Sequence, residues 1–217
     1  MESLLAKRIS GILRSGLTPL LRAHEFRKCG QVYVSERGDV SWVVHVQRSR
    51  WNDETEAQFT INGGIYTPGV VGAYLGRPEP SALKLVDCCL SVRIGMLSES
   101  KFDKWWKVAA SDVPEGAADK RSGSEVCSWV ESLLLPFLQR FRLPVEIAGF
   151  LGGPADSATS SVSPQSMAQR YAYASLIYLR LGEVQEARGE IEKAVREAEG
   201  TAIEQVIQRL RAQVLSA

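Results

Sequence analysis

The chain has 217 residues, 45% of them hydrophobic and 24% charged, with a formal net charge of +1. This is enough apolar material for one large domain or a domain with a small extension, and the near-zero charge excludes a global pull toward nucleic acid, anionic membrane or acidic substrates. No stretch approaches the roughly 20 apolar residues that span a bilayer, and MESLLAKRISGIL is amphipathic and carries Glu2 where a signal peptide would be basic and then continuously apolar, so a cytoplasmic location is expected.

Leu4, Leu5, Ile9, Ile12, Leu13 and Leu20 recur at helical spacing and predict an amphipathic helix ending near Ala23. The period then changes to two. QVYVSE (31–36) and DVSWVVHVQ (39–47) alternate around ERGD and predict a hairpin, with Val40, Trp42, Val44 and Val46 on one face and Ser41, Val43, His45 and Gln47 on the other. AQFTINGGIY (57–66) predicts a third strand with Phe59 and Ile61 on its core side; Gly63 and Gly64 allow a bulge or a close backbone approach. DCCLSVRIGML (87–97) predicts a fourth, after a Gly- and Pro-rich loop holding at most a helical turn.

Ser100 stands where an N-cap would precede a helix over KFDKWWKVAA, with Asp103 favouring the exposed amides of its first turn. Adjacent helical positions differ by about 100°, so Trp105 and Trp106 are expected to divide between the core and its edge, near Phe102. The segment 111–124 reads as a polar connection. Val126, Trp129, Val130, Leu133, Leu134, Phe137, Leu138 and Phe141 then mark an amphipathic helix that Pro136 should kink or split. A short apolar segment, PVEIAGFLGG, follows.

The sequence divides into a domain over 1–151, a small-residue linker over 152–164 and a helical unit over 165–217. In that unit Ala168, Tyr171, Ala174, Ser175, Tyr178, Gly182, Ala187, Ile191 and Ala194 occupy the small and aromatic positions of a tetratricopeptide-like hairpin, followed by a last helix over 201–214. Solenoids need about three such units, so this pair is expected to pack on the first domain. The fold class expected is α+β: an antiparallel sheet of four or more strands packed with helices, then a small all-α unit.

Catalytic signatures are absent: there is no G-x-S-x-G elbow, H-E-x-x-H, phosphate-binding loop, G-x-G-x-x-G or deaminase pattern. Cys29, Cys88, Cys89 and Cys127 lack zinc or redox spacing and read as reduced, mostly buried small residues. His45 alternates with apolar residues and reads as structural; His24 lies near a helix end. No catalytic residue, metal or cofactor is therefore expected, although paired carboxylates from distant segments could still make a hydrolase.

Candidate partner contacts are few. Arg93 could pair with Asp87 or Asp103, or meet a partner's carboxylate or phosphate. Trp51, beside Arg48 and Arg50, has the composition of a stacking site, although Glu54 and Glu56 dilute its charge and favour a solvated strand end. Glu183, Glu186 and Glu190 belong to a charged helical face laced with i,i+4 pairs, which could meet a basic partner. Trp42, Phe59, Phe102, Trp105, Trp106 and Trp129 are assigned to the core.

In order along the chain, FRKCG (26–30), Arg50-Trp51, FTINGGIY (59–66), the cysteine strand leading to RIG (93–95), FDKWW and LLPFL (134–138) resemble the domain-of-unknown-function 4304 family of bacterial proteins, over about residues 3–148. Gly63-Gly64 departs slightly from the N-x-G-I pattern of that family. The resemblance implies an α+β domain with an antiparallel sheet and brings no established active site. Domains of this size and kind also look like immunity proteins, which need only a complementary surface of roughly 800 Å². The expectation is a protein partner, a contact-delivered or secreted toxin and among these a nuclease, with no nucleic-acid or membrane contact. A helical-repeat adaptor acting through residues 165–217 is the alternative.

Overall fold

The computed structural model describes residues 3–114, 116–154 and 161–217. The predicted first helix is two: α1 (Leu4–Ser15) and α2 (Leu17–Ala23), divided at Gly16. Ser3 caps α1 by accepting a hydrogen bond from the Ala6 amide at 3.2 Å. Leu5, Ile9, Ile12 and Leu13 are buried beneath it, as the helical spacing requires.

Six antiparallel strands follow: β1 (Arg27–Cys29), β2 (Val32–Arg37), β3 (Val40–Arg48), β4 (Glu56–Tyr66), β5 (Leu90–Arg93) and β6 (Trp106–Ala109). Their order is β1-β2-β3-β4-β5, with β6 also on β4. Strand β4 is long enough to serve two neighbours on one edge: β5 pairs with Asn62 to Ile65, and β6 with Glu56 to Phe59. The loop after β4 contains a short helix, α3 (Val70–Leu75).

The region 100–109 corrects the expected helix. Between β5 and β6 the chain makes an excursion and returns to the same edge of β4, and alternation in Trp106-Lys107-Val108 is strand alternation, with Trp106 and Val108 buried and Lys107 exposed. Trp105 and Trp106 therefore point to opposite faces. Trp106 stacks on its strand partner Phe59 at 5.7 Å and meets Trp129 edge-on at 6.1 Å. Trp105 is half-buried and carries the Arg93 guanidinium over its ring at 5.2 Å. Phe102, expected in the core, is 43% exposed and reaches it only by an edge contact with the half-buried Trp129. The other three assigned residues, Trp42, Phe59 and Trp106, are buried.

The second correction lies in 111–124. Its latter part is helical: α4 (Ala117–Trp129) leads through a π-turn (Val130–Leu134) into α5 (Leu135–Gln139). Pro136 stands in the first turn of α5, where its missing amide is not needed, and the π-turn absorbs the interruption immediately before it. Helices α1, α4 and α5 cover the face of the sheet that carries Trp42, Val44, Phe59 and Ile61, and the Trp42 indole donates to the Phe141 carbonyl at 2.8 Å.

Helices α6 (Pro144–Gly152), α7 (Met167–Leu181), α8 (Val184–Ala198) and α9 (Glu204–Leu215) complete the chain. Gly182 turns α7 into α8 from the left-handed region, φ 81°. These helices join the same core cluster as the sheet. Tyr173 of α7 meets Tyr74 of α3 edge-on at 5.1 Å, and Arg209 of α9 donates to the Ala73 and Tyr74 carbonyls. Of the predicted linker, 155–160 lie outside the described residues, and Ser163 forms a two-bond bridge to Ser91 of β5. Among the described residues no helix is long and apolar enough to cross a membrane.

The excursion between β5 and β6 is closed by Gly95, where a Cβ would lie 2.1 Å from the Phe102 carbonyl oxygen and 2.7 Å from the Lys104 nitrogen. Those neighbours are backbone and cannot swing aside. Gly95→Ala is accordingly expected to lower the unfolding free energy by about 3 kcal/mol, measured by urea denaturation. Gly149→Ala in α6, where a Cβ meets nothing within 4 Å, should instead raise it by up to about 1 kcal/mol.

Candidate functional site

Helices α1 and α4 lie side by side and run in the same direction, as three matched contacts show. Arg8 pairs with Asp119, Ile12 lies against Gly123, and Gly16 comes so close to α4 that a Cβ there would sit 3.2 Å from the Cys127 sulfur and 3.3 Å from the Gly123 carbonyl oxygen. The successive partners advance together along both helices. Backbones approach closely at the Gly16 end, whereas at the other end the long Arg8 side chain bridges the gap.

Between the helices runs an open groove of about 1100 Å³. Small residues line it on both sides, Gly11 and Ser15 from α1 and Gly123, Ser124 and Ser128 from α4, with Leu4, Ile12 and Pro114 adding apolar surface. Lys7 and Lys120 sit near the two helix N-termini, and Glu131 lies at the opposite end.

The Arg8–Asp119 pair also lines the groove, its side chains only 6% and 9% exposed. Arg8 donates from Nη2 to Oδ1 at 2.7 Å and from Nε to Oδ2 at 3.3 Å, and its Nη1 donates to the Ala109 carbonyl at 2.7 Å. Removing two charges from water is costly, and only such near-complete hydrogen bonding offsets it. Cys127 also lines the groove, but burial, reinforced by the Glu131 charge, raises its thiol pKa. It is therefore a poor nucleophile at neutral pH.

The opposite face of the sheet carries a polar row, His45, Asn62 and Arg93, aligned across β3, β4 and β5. Asn62 donates to Gln47 at 3.0 Å, and Arg93 donates to both oxygens of Asp103 at 2.7 and 2.8 Å and to Gln47 at 3.3 Å. Partial burial alone would raise the Asp103 pKa, yet hydrogen bonds from Arg93 and Trp105 outweigh it and hold the carboxyl below its usual range. Arg93 is thus committed to closing the excursion, the first of the two roles expected for it. His45 is half-buried with a buried, unpartnered Nδ1, and desolvation lowers its pKa.

The remaining candidate contacts lie on separate elements. Trp51 is 77% exposed on the β3–β4 hairpin, with the Arg50 guanidinium 4.7 Å from its ring centre. Glu183 and Glu186 are exposed at the start of α8, which packs on α7 and α9. Glu190 differs from them: its side chain is 13% exposed, bonds Lys193 at 2.6 Å and lies against Gly152. Sequence reading missed the groove because it took the start of α4 for a connection. The matching order of small residues, Gly11 and Gly16 with Gly123 and Cys127, is the signal that could have found it. Among the described residues, no group of three or more His, Cys, Asp or Glu side chains is placed to hold a metal ion.

Two measurements check this arrangement. Asp119→Ala leaves a buried guanidinium without its carboxylate and is expected to cost about 3 to 5 kcal/mol in chemical denaturation, with Arg8→Met/Asp119→Leu recovering most of the loss. For His45, the folded state holds the proton less tightly than the unfolded chain, whose pKa is about 6.5. Stability is therefore greatest above that value and falls as pH drops toward the lower folded pKa. His45→Gln should flatten this dependence below about pH 6.5, read from Tm against pH.

No curated protein and no solved structure matches the chain. The sequence profile of the family described as Domain of unknown function (DUF4304) matches residues 17–140, from α2 to the end of α5. That is more than half of the chain, with one wall of the groove, α4, inside the match and the other, α1, before it; the protein belongs to the DUF4304 family.

Proposed function

We propose that the protein is a cytoplasmic immunity-type inhibitor, which binds a bacterial toxin effector and neutralises it through protein–protein contact. The open groove between α1 and α4 carries this reading: an uncovered trough of about 1100 Å³ with a rigid wall on each side. Interfaces are enriched in exposed aromatic, Arg and apolar side chains, and of these the groove's border supplies the apolar ones. Leu4 and Val113 are exposed there. The β3–β4 hairpin bearing Arg50 and Trp51 is a separate exposed feature, tied to the other flank of α1 by Arg48, which donates to Ser10 at 2.9 Å, and to the end of β6 by the Ala110 amide, which donates to the Thr55 carbonyl at 2.8 Å.

Inhibition by occlusion requires a stiff complementary surface rather than a reactive group, and α1 and α4 are held by a buried ion pair and close backbone contact. An adaptor acting through residues 165–217 is less well supported, because α7 packs against α3, α6, α8 and α9. A nuclease suits the exposed Glu183 and Glu186, which would present carboxylates to a phosphate-binding groove.

Size-exclusion chromatography with the product of the adjacent gene, combined with co-expression in bacteria, tests the reading. Co-elution and rescue of growth are expected; a neighbouring toxin that neither co-elutes nor is neutralised removes the proposal. Trp51→Ala is expected to weaken the complex about thirtyfold, near 2 kcal/mol, with thermal stability unchanged.

A further inference from the structure

We infer that the groove seats one amphipathic helix of the partner, lying antiparallel to α1 and α4, with its acidic C-terminal turn at Lys7 and Lys120 and its basic N-terminal turn at Glu131. The inference rests on the protein-binding reading above and specifies its occupant.

Backbone chemistry decides the kind of segment. Helical walls have already used their amides and carbonyls internally, so an extended peptide laid along them would find no partners for its own backbone. A helix brings its backbone satisfied. The small side chains let such a helix sink between the walls: a Cβ on Gly11 would meet nothing within 4 Å, so one ridge of side chains from the occupant can reach that level. Over the length of α1 the trough runs about 18 Å, room for about three turns.

Charge decides the direction. Because α1 and α4 run in parallel, the positive ends of both dipoles lie at one end of the groove, beside Lys7 and Lys120. The first turn of α4 begins at Gly116 and has no side-chain cap. Glu131 lies beyond Gly16, level with the C-terminal, negative end of α1. An occupant running the opposite way places its own negative end and acidic side chains against the lysines; one running parallel sets like charge against like at both ends.

The test uses the full chain and two synthetic amphipathic peptides of about four turns, identical in their Leu/Ala ridge, one with Lys in the first turn and Glu in the last, the other with these charges exchanged. Binding is followed by fluorescence anisotropy and by the alkylation rate of Cys127 in a Cys29→Ser background. The first peptide is expected to bind about tenfold more tightly than the second and to slow alkylation. Gly11→Trp should abolish binding, Gly11→Ala should retain it, and Lys7→Glu/Lys120→Glu should reverse the preference. Equal affinity for both peptides, no binding of either, or tight binding to folded Gly11→Trp overturns the inference, as does a concentration-dependent dimer, abolished by Gly11→Trp, that shows a second copy in the groove. If the neighbouring toxin co-elutes equally with wild type and Gly11→Trp, the groove assignment fails while the inhibitor reading stands. If the peptides behave as expected and the toxin does not bind, the inhibitor reading fails alone.

Discussion

The groove depends on how a buried guanidinium is satisfied. Arg8 projects from α1 with its side chain only 6% exposed, and that burial is tolerable because Asp119 and the Ala109 carbonyl accept hydrogen bonds from its guanidinium. Those partners come from two different elements, the first turn of α4 and the end of β6, so one side chain fixes a helix relative to another helix and to the sheet edge. Gly16 fixes the other end by direct approach to α4. With both ends set, the two helices are fixed relative to each other, and their outward faces become the walls of an open trough. Arg8 precedes the stretch matched to the family and Asp119 falls inside it, so the trough joins the DUF4304 domain to a helix contributed from outside the match.

Much of the fold was legible because burial imposes periodicity. The β2–β3 hairpin and β4 follow the alternation of their apolar residues closely, the helical spacing of the first segment is kept although Gly16 divides it in two, and Gly182 ends α7 where the small-residue pattern places a turn. Two segments misled for a definable reason. In KFDKWWKVAA, good helix-N-terminal chemistry at Ser100 and Asp103 competed with the free edge of β4, and the edge prevailed: Trp106 gains a strand partner, the Phe59 ring and the Trp129 edge together. Local preference amounts to tenths of a kcal/mol per residue, whereas burying such an aromatic side chain is worth about 2 kcal/mol or more. In 111–124 the polar composition concealed a helix whose small residues face α1 and whose one buried acid, Asp119, has its partner more than a hundred positions away in the sequence.

The candidate contacts divide along the same line. A linear reading leaves Arg93 and Glu190 open between an internal pair and a partner contact, and both are engaged within the fold, one with Asp103 and Trp105 and the other with Lys193. A charged residue on an alternating or helical pattern says only that its side chain leaves the core; whether it meets solvent depends on what another element brings alongside. Trp51 differs because an exposed indole on a hairpin tip gains nothing from its own fold apart from the Arg50 contact. Its hydrophobic surface stays in water in the isolated chain, a standing cost that binding can recover.

The mode of action proposed above is occlusion, which asks nothing of reactive groups. An active site is built by converging groups whose pKa values are moved toward their task. Among the thiols and imidazoles, Cys88, Cys89 and Cys127 are pushed up, chiefly by burial, and His45 is pushed down by desolvation, with no acidic partner facing its Nδ1. Each shift takes its group away from the charged form that would attack or donate. On the inhibitor reading proposed above, the α1–α4 trough, held by a buried ion pair and close backbone approach, is the surface that acts, and stiffness is what an inhibitor needs if binding is not to be spent on ordering its own side chains.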